Sequence, residues 1–270
     1  MYSLEVREQV IKLHHEGNNY SKISKTLNIS RFIIKEWITG NKRHVRKNED
    51  EILSSDDFFK YFITNIENSE EYRKSYYYLL GQYLGDGCIT EMKNKRTYRL
   101  RIACADKYPK IIEELKYCLN VIFPYNKIQE VQSVGCKMVG IYNTNLPLIF
   151  PQHGTGKKHN RNIKLIDWQE KYLQHNELAK GLFHSDGCYF VNKIKNKKTL
   201  KYREYPTYWF TNCSEDLHNI FQTCLISMNV NFRFEEQRRV NIQLKSKIWH
   251  TKICKIKDIN KLKDIIGIKQ

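Results

Sequence analysis

Two dipeptides in this sequence carry an unusual charge. Asp86-Gly87 closes the string LLGQYLGDGC (79–88), and Asp186-Gly187 closes AKGLFHSDGC (179–188). Each string reads as the end of a helix. Glycine is expected just past a helix end. Aspartate there is not, because the helix C-terminus carries about half a negative charge, and a carboxylate beside it is disfavoured by about 0.3–1 kcal/mol. A chain that does this twice, at matching places, points to a cation held at both. Gly81 and Gly85 lie four apart on one helix face, and Gly181 and Ser185 hold the matching places in the second string. Small residues at that spacing let two helix backbones approach closely. Packed side by side, the two helices would bring Asp86 and Asp186 to one point, with the carbonyls of Gly85 and Ser185 as further oxygen ligands. An oxygen-only, water-rich set suits Mg²⁺, with Mn²⁺ or Ca²⁺ as other divalent occupants, and the phosphates of a bound strand would complete the shell. The plainer alternative is that both Asp-Gly ends are structural caps.

The elements around these dipeptides repeat as well. IACADKYPKIIEELKYCLNV (102–121) matches TNCSEDLHNIFQTCLISMNV (211–230) in cysteine position, acidic start and helical apolar spacing. Each half then supplies two strand-like segments. Phe232, Phe234, Val240, Ile242 and Leu244 alternate with Arg233, Glu235, Gln237, Arg239, Asn241, Gln243 and Lys245, and Leu100 and Ile102 alternate with Arg99 and Arg101. Period-two alternation of this kind predicts strands with one apolar and one polar, mostly basic face. The repeat unit is helix–strand–strand–helix–strand–strand–helix. The expected fold class is α+β: a pseudo-twofold pair of αββαββα units, the first over 70–150, a connector over 151–175, the second over 176–270.

With both strings, their separation and the strands between them in view, the chain resembles the LAGLIDADG homing endonucleases of the single-chain, two-motif type over roughly residues 72–270. The resemblance implies two sheets forming a saddle over duplex DNA. It implies hydrolysis of both strands across the minor groove with divalent metal, leaving 3′ overhangs, by a monomer acting on a long asymmetric target. It carries the metal-ligand role to Asp86 and Asp186. The inner acidic position of the motif is Leu84 in one copy and His184 in the other. The resemblance also implies a basic catalytic residue near the end of a late strand in each half. Lys257 fits in the second half; the first has Asn143 there, with Lys137 as a substitute.

Residues 4–38 read as three short helices, with Val6, Val10, Ile11 and Leu13 on the first, Ile23 and Leu27 on the second, and Ile33, Ile34 and Trp37 on the third. Ser21 or Tyr20 opens the second helix, and Ser30 is placed to cap the third. The string YSKISKTLNISRFIIKEWI looks like a helix-turn-helix, whose third helix would enter a major groove with Arg31, Phe32, Lys35 and Glu36 outward. An ordinary small helical bundle is the alternative. The helix-turn-helix domain is expected over 1–40, and a linker with a short helix over 41–69. The linker begins with the charged run GNKRHVRKNEDE.

Composition narrows the partners. The net charge is +17, and hydrophobic residues make up 41% of the chain, enough for a packed core. Such a charge points to a polyanion. The basic residues are spread over strand-like stretches rich in Tyr, Asn and Gln, which suits a nucleic-acid groove better than a lipid-lying helix. No run approaches the ~18 apolar residues of a membrane span, and MYSLEVREQVIKLHHEG has charges where a signal peptide is apolar. Eight cysteines without a C-x-x-C pair fit an intracellular, reducing compartment better than a disulfide framework. Arg and Lys read guanine edges and Asn or Gln adenine edges. Arg99, Arg101, Lys193, Lys195, Arg203, Arg233, Arg239, Asn241 and Gln243 are therefore the expected DNA-contacting residues of the strands, and the connector could touch phosphate. Three functions stay open at this point: a sequence-specific double-strand DNA endonuclease, a non-cleaving DNA-binding regulator, and an RNA-binding intron splicing maturase on the same scaffold. The paired aspartates favour the first, because the second does not need them. A basic saddle also suits an A-form RNA helix.

Overall fold

The computed structural model describes residues 2, 4–39, 54–93, 96–196, 199–237 and 247–269. It divides into two units, 1–58 and 59–270. In the first, α1 (Leu4–His15), α2 (Tyr20–Leu27) and α3 (Arg31–Ile38) enclose a core of Val10, Ile23, Ile29, Ile34 and Trp37. Asn19 opens α2, its side chain accepting from the Lys22 amide at 2.9 Å. Tyr20, one of the two residues expected to open the helix, is its first helical residue, and the side chain one residue ahead of it reaches back over the first free N–H groups. Asn28 turns the chain with φ 53°, a left-handed conformation that asparagine tolerates. Ser30 occupies the cap position of α3, but its side chain makes no capping bond. Arg31, Phe32 and Lys35 are exposed on α3. The charged run 40–51 that begins the expected linker lies outside the described residues, as do 52 and 53; helix α4 (Ser55–Asn68) follows and crosses the division.

The second unit is built twice on one plan. The first half runs α5 (Glu70–Asp86), β1 (Gly87–Glu91), β2 (Tyr98–Ala105), α6 (Pro109–Ile122), β3 (Gln129–Ser133), β4 (Cys136–Asn143) and α7 (Leu146–Ile149). A connector with a single 3₁₀ turn (Lys158–Asn160) and α8 (Asp167–Lys171) leads to the second half. That half runs α9 (His175–Asp186), β5 (Gly187–Lys195), β6 (Tyr202–Asn212), α10 (Glu215–Ser227), β7 (Arg233–Gln237), β8 (Ile248–Ile253) and α11 (Ile256–Ile265). The sheets have the orders β1-β2-β4-β3 and β5-β6-β8-β7, all antiparallel. Each half is thus an αββαββα unit. Gly87 pairs with Ile102 and Gly187 with Phe210, which sets the residue-by-residue equivalence of the halves.

Helices α5 and α9 pack along their glycines. A methyl group at Gly81 would sit 2.6 Å from the Leu178 carbonyl oxygen and 2.8 Å from the Gly181 Cα; one at Gly181 would sit 2.3 Å from the Tyr78 carbonyl oxygen. One turn on, a methyl at Gly85 would overlap the Ser185 side chain, so serine is accommodated on one helix only because the other has glycine. Helix α5 is buried nearly all round, the pattern of a central helix. Its tyrosines bury their hydroxyls with partners, as buried polar groups must. Tyr76 donates to the Ile149 carbonyl at 2.6 Å, Tyr77 donates to the Gln169 carbonyl at 2.5 Å, and Tyr78 meets His184 Nδ1 at 3.1 Å. The inner positions Leu84 and His184 are buried packing positions. Burial holds His184 down to about 3, with Lys180 adding to the effect, so the ring stays neutral.

Candidate functional site

The two Asp-Gly ends meet. Each helix runs up to its aspartate, and the following glycine turns at once into the first strand of its sheet, so both carboxylates stand where helix gives way to sheet. The Asp186 carboxylate crosses to the opposite helix, where a methyl at Gly85 would lie 2.8 Å from its Oδ2. Asn212, the last residue of β6, donates to that Oδ2 from its Nδ2 at 2.8 Å. The Asn212 amide is itself held by the Ser214 N–H, which donates to its Oδ1 at 2.8 Å. Asp86, at the other helix end, lines a small cavity with Cys104, Ser185 and Lys269.

Two lysines complete the cluster. Lys158 of the connector donates to the carbonyls of Tyr83, Leu84 (2.9 Å) and Gly85 (2.8 Å), in the last turn of α5. Lys269 does the same at the end of α9, donating to the Ser185 carbonyl at 2.6 Å. An ammonium group therefore stands at each helix terminus where the dipole favours a cation. The electrostatics follow from crowding. Burial, with the neighbouring Asp86 acting in the same direction, raises Asp186 to about 6 against the opposing effects of Asn212, Lys158 and Lys269. Burial also raises Asp86, opposed by Lys269 and Lys158. Burial lowers Lys158 to about 8 although both aspartates pull it upward. Burial lowers Lys269 as well.

The site fits a divalent cation by its donors. Asp86, Asp186 and the Gly85 and Ser185 carbonyls are hard oxygen ligands, and the two ammonium groups are stand-ins showing that these carbonyls accept positive charge. Among the described residues no three His, Cys, Asp or Glu side chains converge into a cage. A metal here would rest on one carboxylate, main-chain oxygen, water and substrate phosphate.

Lys137 and Lys257 do not join the cluster. Lys137 pairs with Cys104 across the ladder, which turns it to the face packed on α6, where Glu130 bridges it (2.7 Å) to Lys116 (2.7 Å). Lys257 is exposed in the first turn of α11, twelve residues before Lys269. The lysines that do reach the two helix ends follow the third helix of each half. They sit in Gly156-Lys157-Lys158 and Gly267-Ile268-Lys269, whose glycines have φ of 78° and 70°. This repeated Gly-x-Lys was the signal available in the sequence.

Register sorts the expected DNA-contacting residues. The inward faces carry Leu100 and Ile102 against α6 and Phe210 against α10, whose Phe221 lies 4.6 Å away ring to ring. Arg99 and Arg101 alternate with them and lie on the outward face. Arg99 Nη1 meets the Tyr142 hydroxyl at 3.5 Å. Arg203 shares the outward face of the second sheet with Trp209, and Arg233 lies opposite Lys252 on that face. Lys193 and Lys195 pair with Glu204 and Tyr202 and fall on the opposite face, where Lys193 is bridged to Glu204 at 2.9 Å. A one-residue change of parity flips a side chain across the sheet, and that is the whole difference between them and Arg203. Arg239, Asn241 and Gln243 lie outside the described residues. The outward face of the second sheet also holds a network missed from sequence. Trp209 Nε1 donates to His250 Nδ1 at 2.8 Å, His250 Nε2 meets Gln237 Oε1 at 2.6 Å, and Lys252 donates to Glu235 at 2.6 Å.

No helix among the described residues is long and apolar enough to cross a membrane, and all eight cysteines are free. No family model matches the chain, and no curated protein matches it by sequence. Among solved structures, it is similar to mesophilic variants of the homing endonuclease I-DmoI, at TM-score 0.49 and 17% identity over 73% of this chain and 97% of that one. It is similar to the LAGLIDADG meganuclease I-AabMI bound to uncleaved DNA, at TM-score 0.47 and 16% identity over 72% and 84%. It is similar to a lysine-to-alanine mutant of I-SmaMI, at TM-score 0.49 and 10% identity over 72% and 85%.

Proposed function

We propose that this chain is a sequence-specific, double-strand DNA endonuclease that hydrolyses phosphodiester bonds with Mg²⁺, acting as a monomer in a reducing intracellular compartment. The observation that carries the reading is the crossed pair of carboxylates at the glycine-packed helix ends, each beside a carbonyl oxygen and a lysine. A basic protein with no catalytic task gains nothing from two crowded carboxylates opposed to two helix dipoles.

The chemistry follows from the cluster. Asp186 with the Gly85 carbonyl, and Asp86 with the Ser185 carbonyl, would hold the metal. When bound, it supplies a Lewis acid and lowers the pKa of a bound water. Lys158 and Lys269 place positive charge beside the reacting phosphate, where it stabilises the charge that develops on the phosphoryl oxygens. Lys158, near 8, can exchange a proton close to neutral pH. Arg99, Arg101, Arg203 and Arg233 face outward to meet base edges and phosphates. The helix-turn-helix adds a second contact through Arg31 and Lys35.

One observation favours a second reading, a DNA-binding protein that does not cut. The two ammonium groups already satisfy the carbonyls that a metal would use. Selection of cleaved sites from a random duplex library with Mg²⁺ or Mn²⁺ separates the two. The endonuclease yields a long asymmetric consensus, lost in Asp86→Asn and Asp186→Asn variants that still bind it. An uncut library, with the same consensus recovered by binding alone, would establish the second reading and refute the first.

A further inference from the structure

The outward face of the second sheet holds a cavity of about 390 Å³, lined by Trp209, Glu235, Glu236, Gln237, His250 and Lys252. One group fixes the direction of the hydrogen bonds around its histidine. An indole N–H can only donate. Trp209 donates to His250 Nδ1 at 2.8 Å, so that nitrogen is an acceptor. The Thr211 hydroxyl, 3.0 Å from the same nitrogen, donates to it as well. Burial lowers the His250 pKa, with Lys252 acting in the same direction against Glu235, so the ring is neutral and its proton sits on Nε2. Nε2 therefore donates to Gln237 Oε1 at 2.6 Å. The exposed Gln237 is thus held by its carbonyl, and the end of its amide that the ring does not hold carries two N–H donors.

This polarity runs against the usual use of a glutamine. A free glutamine amide offers one donor and one acceptor, which match the N7 and N6 amino groups of adenine. Held at its oxygen, Gln237 offers donors. Guanine is the base that presents two acceptors, O6 and N7, side by side in the major groove. Against adenine, one donor would face the N6 amino group. Lys252, the other donor of the cavity, is already engaged: it donates to Glu235 at 2.6 Å, and its ammonium lies 4.3 Å from the centre of the Trp209 ring. The arrangement belongs to the second half alone. By strand register Trp209 corresponds to Arg101 and His250 to Met138, and a thioether has no hydrogen to give an amide carbonyl.

We infer that Gln237 is a specificity-determining residue that selects guanine, and that His250, with Trp209 behind it, is the positioning residue that sets this choice. The inference rests on the DNA-binding part of the proposed function and deepens it by naming one base that the second sheet selects. His250 acts through Gln237. Its hold on the amide is in place before DNA arrives, so the amide does not have to be oriented at the moment of binding.

The test is competition binding, in Ca²⁺, to the duplex recovered by binding selection. Each guanine is replaced in turn by 7-deazaguanine, which lacks only the N7 acceptor, and by adenine. In the parent, either replacement at one guanine of the second half-site should weaken binding about tenfold, the size of one bidentate base contact. Gln237→Ala should abolish both penalties at that position and leave the penalties elsewhere as they were. Gln237 is exposed, so this variant should keep its fold. His250→Phe leaves the amide free to turn, and adenine should become the preferred base at that one position. A histidine needed only for structure would weaken all positions alike. If His250→Phe does not fold, the Gln237→Ala scan decides. A pattern of penalties unchanged in Gln237→Ala, a parent that prefers adenine at the position Gln237→Ala affects, or a folded His250→Phe that still selects guanine there would overturn the inference and leave the endonuclease reading standing. A protein that binds no duplex sequence selectively would overturn that reading, and the inference with it.

Discussion

The close approach of α5 and α9 is what brings the paired carboxylates together, so enlarging that contact by one methyl group should separate stability from catalysis. Consider Gly181→Ala. The new Cβ would lie 2.3 Å from the Tyr78 carbonyl oxygen, 3.0 Å from the Gly81 Cα and 3.1 Å from the Gln82 nitrogen. All three are main-chain atoms of the facing helix, so no rotamer change relieves them. Restoring ordinary contact requires α5 and α9 to move apart by about 1 Å. Overpacking a close-fitted interface costs about 1–3 kcal/mol, and the backbone-only clash places this variant at the upper end. A displacement of about 1 Å at reacting groups costs about 100-fold in rate. Urea denaturation should therefore show a loss of about 2–3 kcal/mol, and Gly81→Ala should behave alike. Cleavage at matched DNA occupancy should fall about 100-fold, while affinity for the target in Ca²⁺ changes far less. Gly135→Ala is the control: its φ of 71° makes alanine strained, but no atom lies within 4 Å of the added methyl. It should lose about 1 kcal/mol of stability and keep its cutting rate. Gly181→Ala with a cutting rate within twofold of the parent would refute the argument that helix contact places the carboxylates.

Asp186→Asn should stabilise the fold while it stops cutting. In the folded protein this carboxyl is raised from an ordinary aspartate's 3.8 to about 6. At neutral pH its charge is thus held at a cost of about 3 kcal/mol, at about 1.4 kcal/mol per tenfold change in proton affinity. Some of that gain is offset by the altered Asn212 bond, leaving about 1–2 kcal/mol net. The sign of the pH dependence follows: the gap is full above about 6, shrinks as pH falls through that value, and is gone near 4. Denaturation curves at pH 7.5, 6 and 4 measure it, and a variant less stable than the parent at pH 7.5 contradicts it. Lys158→Met and Lys269→Met should each reduce cleavage of a strand by about 100-fold or more, while Lys137→Ala and Lys257→Ala stay within about threefold of the parent, as exposed surface substitutions do. Single-turnover rates decide between them, and large losses in the second pair would return the basic role to those positions. Deleting residues 1–45 should weaken target binding and flatten its salt dependence, yet leave residues 59–270 folded. Affinity measured across a salt series tests this, and an unchanged slope refutes a DNA-contacting helix-turn-helix.

Much of the site could be read from the chain alone because its signals are local. An aspartate at a helix end, a glycine four residues from another, and a strand's period-two alternation each follow from bond geometry within a few residues. Duplication then let each half check the other. Hence the αββαββα unit, Asp86, Asp186 and the close packing through Gly81, Gly85, Gly181 and Ser185 all appear in the structure where the residues placed them. The lysines were a different matter. The resemblance implies a basic residue near the end of a late strand, which points to Lys137 and Lys257, but strand register turns Lys137 to the helix side, and Lys257 lies exposed at the start of α11. Lys158 and Lys269 reach the helix ends across 74 and 84 residues of chain. Asn212 reaches Asp186 across 26. No propensity or period encodes contacts at such separations; they exist only once the two sheets and the connector have folded around the paired helices. The sequence by itself determined which groups carry charge and where two backbones must touch. The tertiary structure decided which lysines stand at those helix ends, and that Asn212 would donate to Asp186.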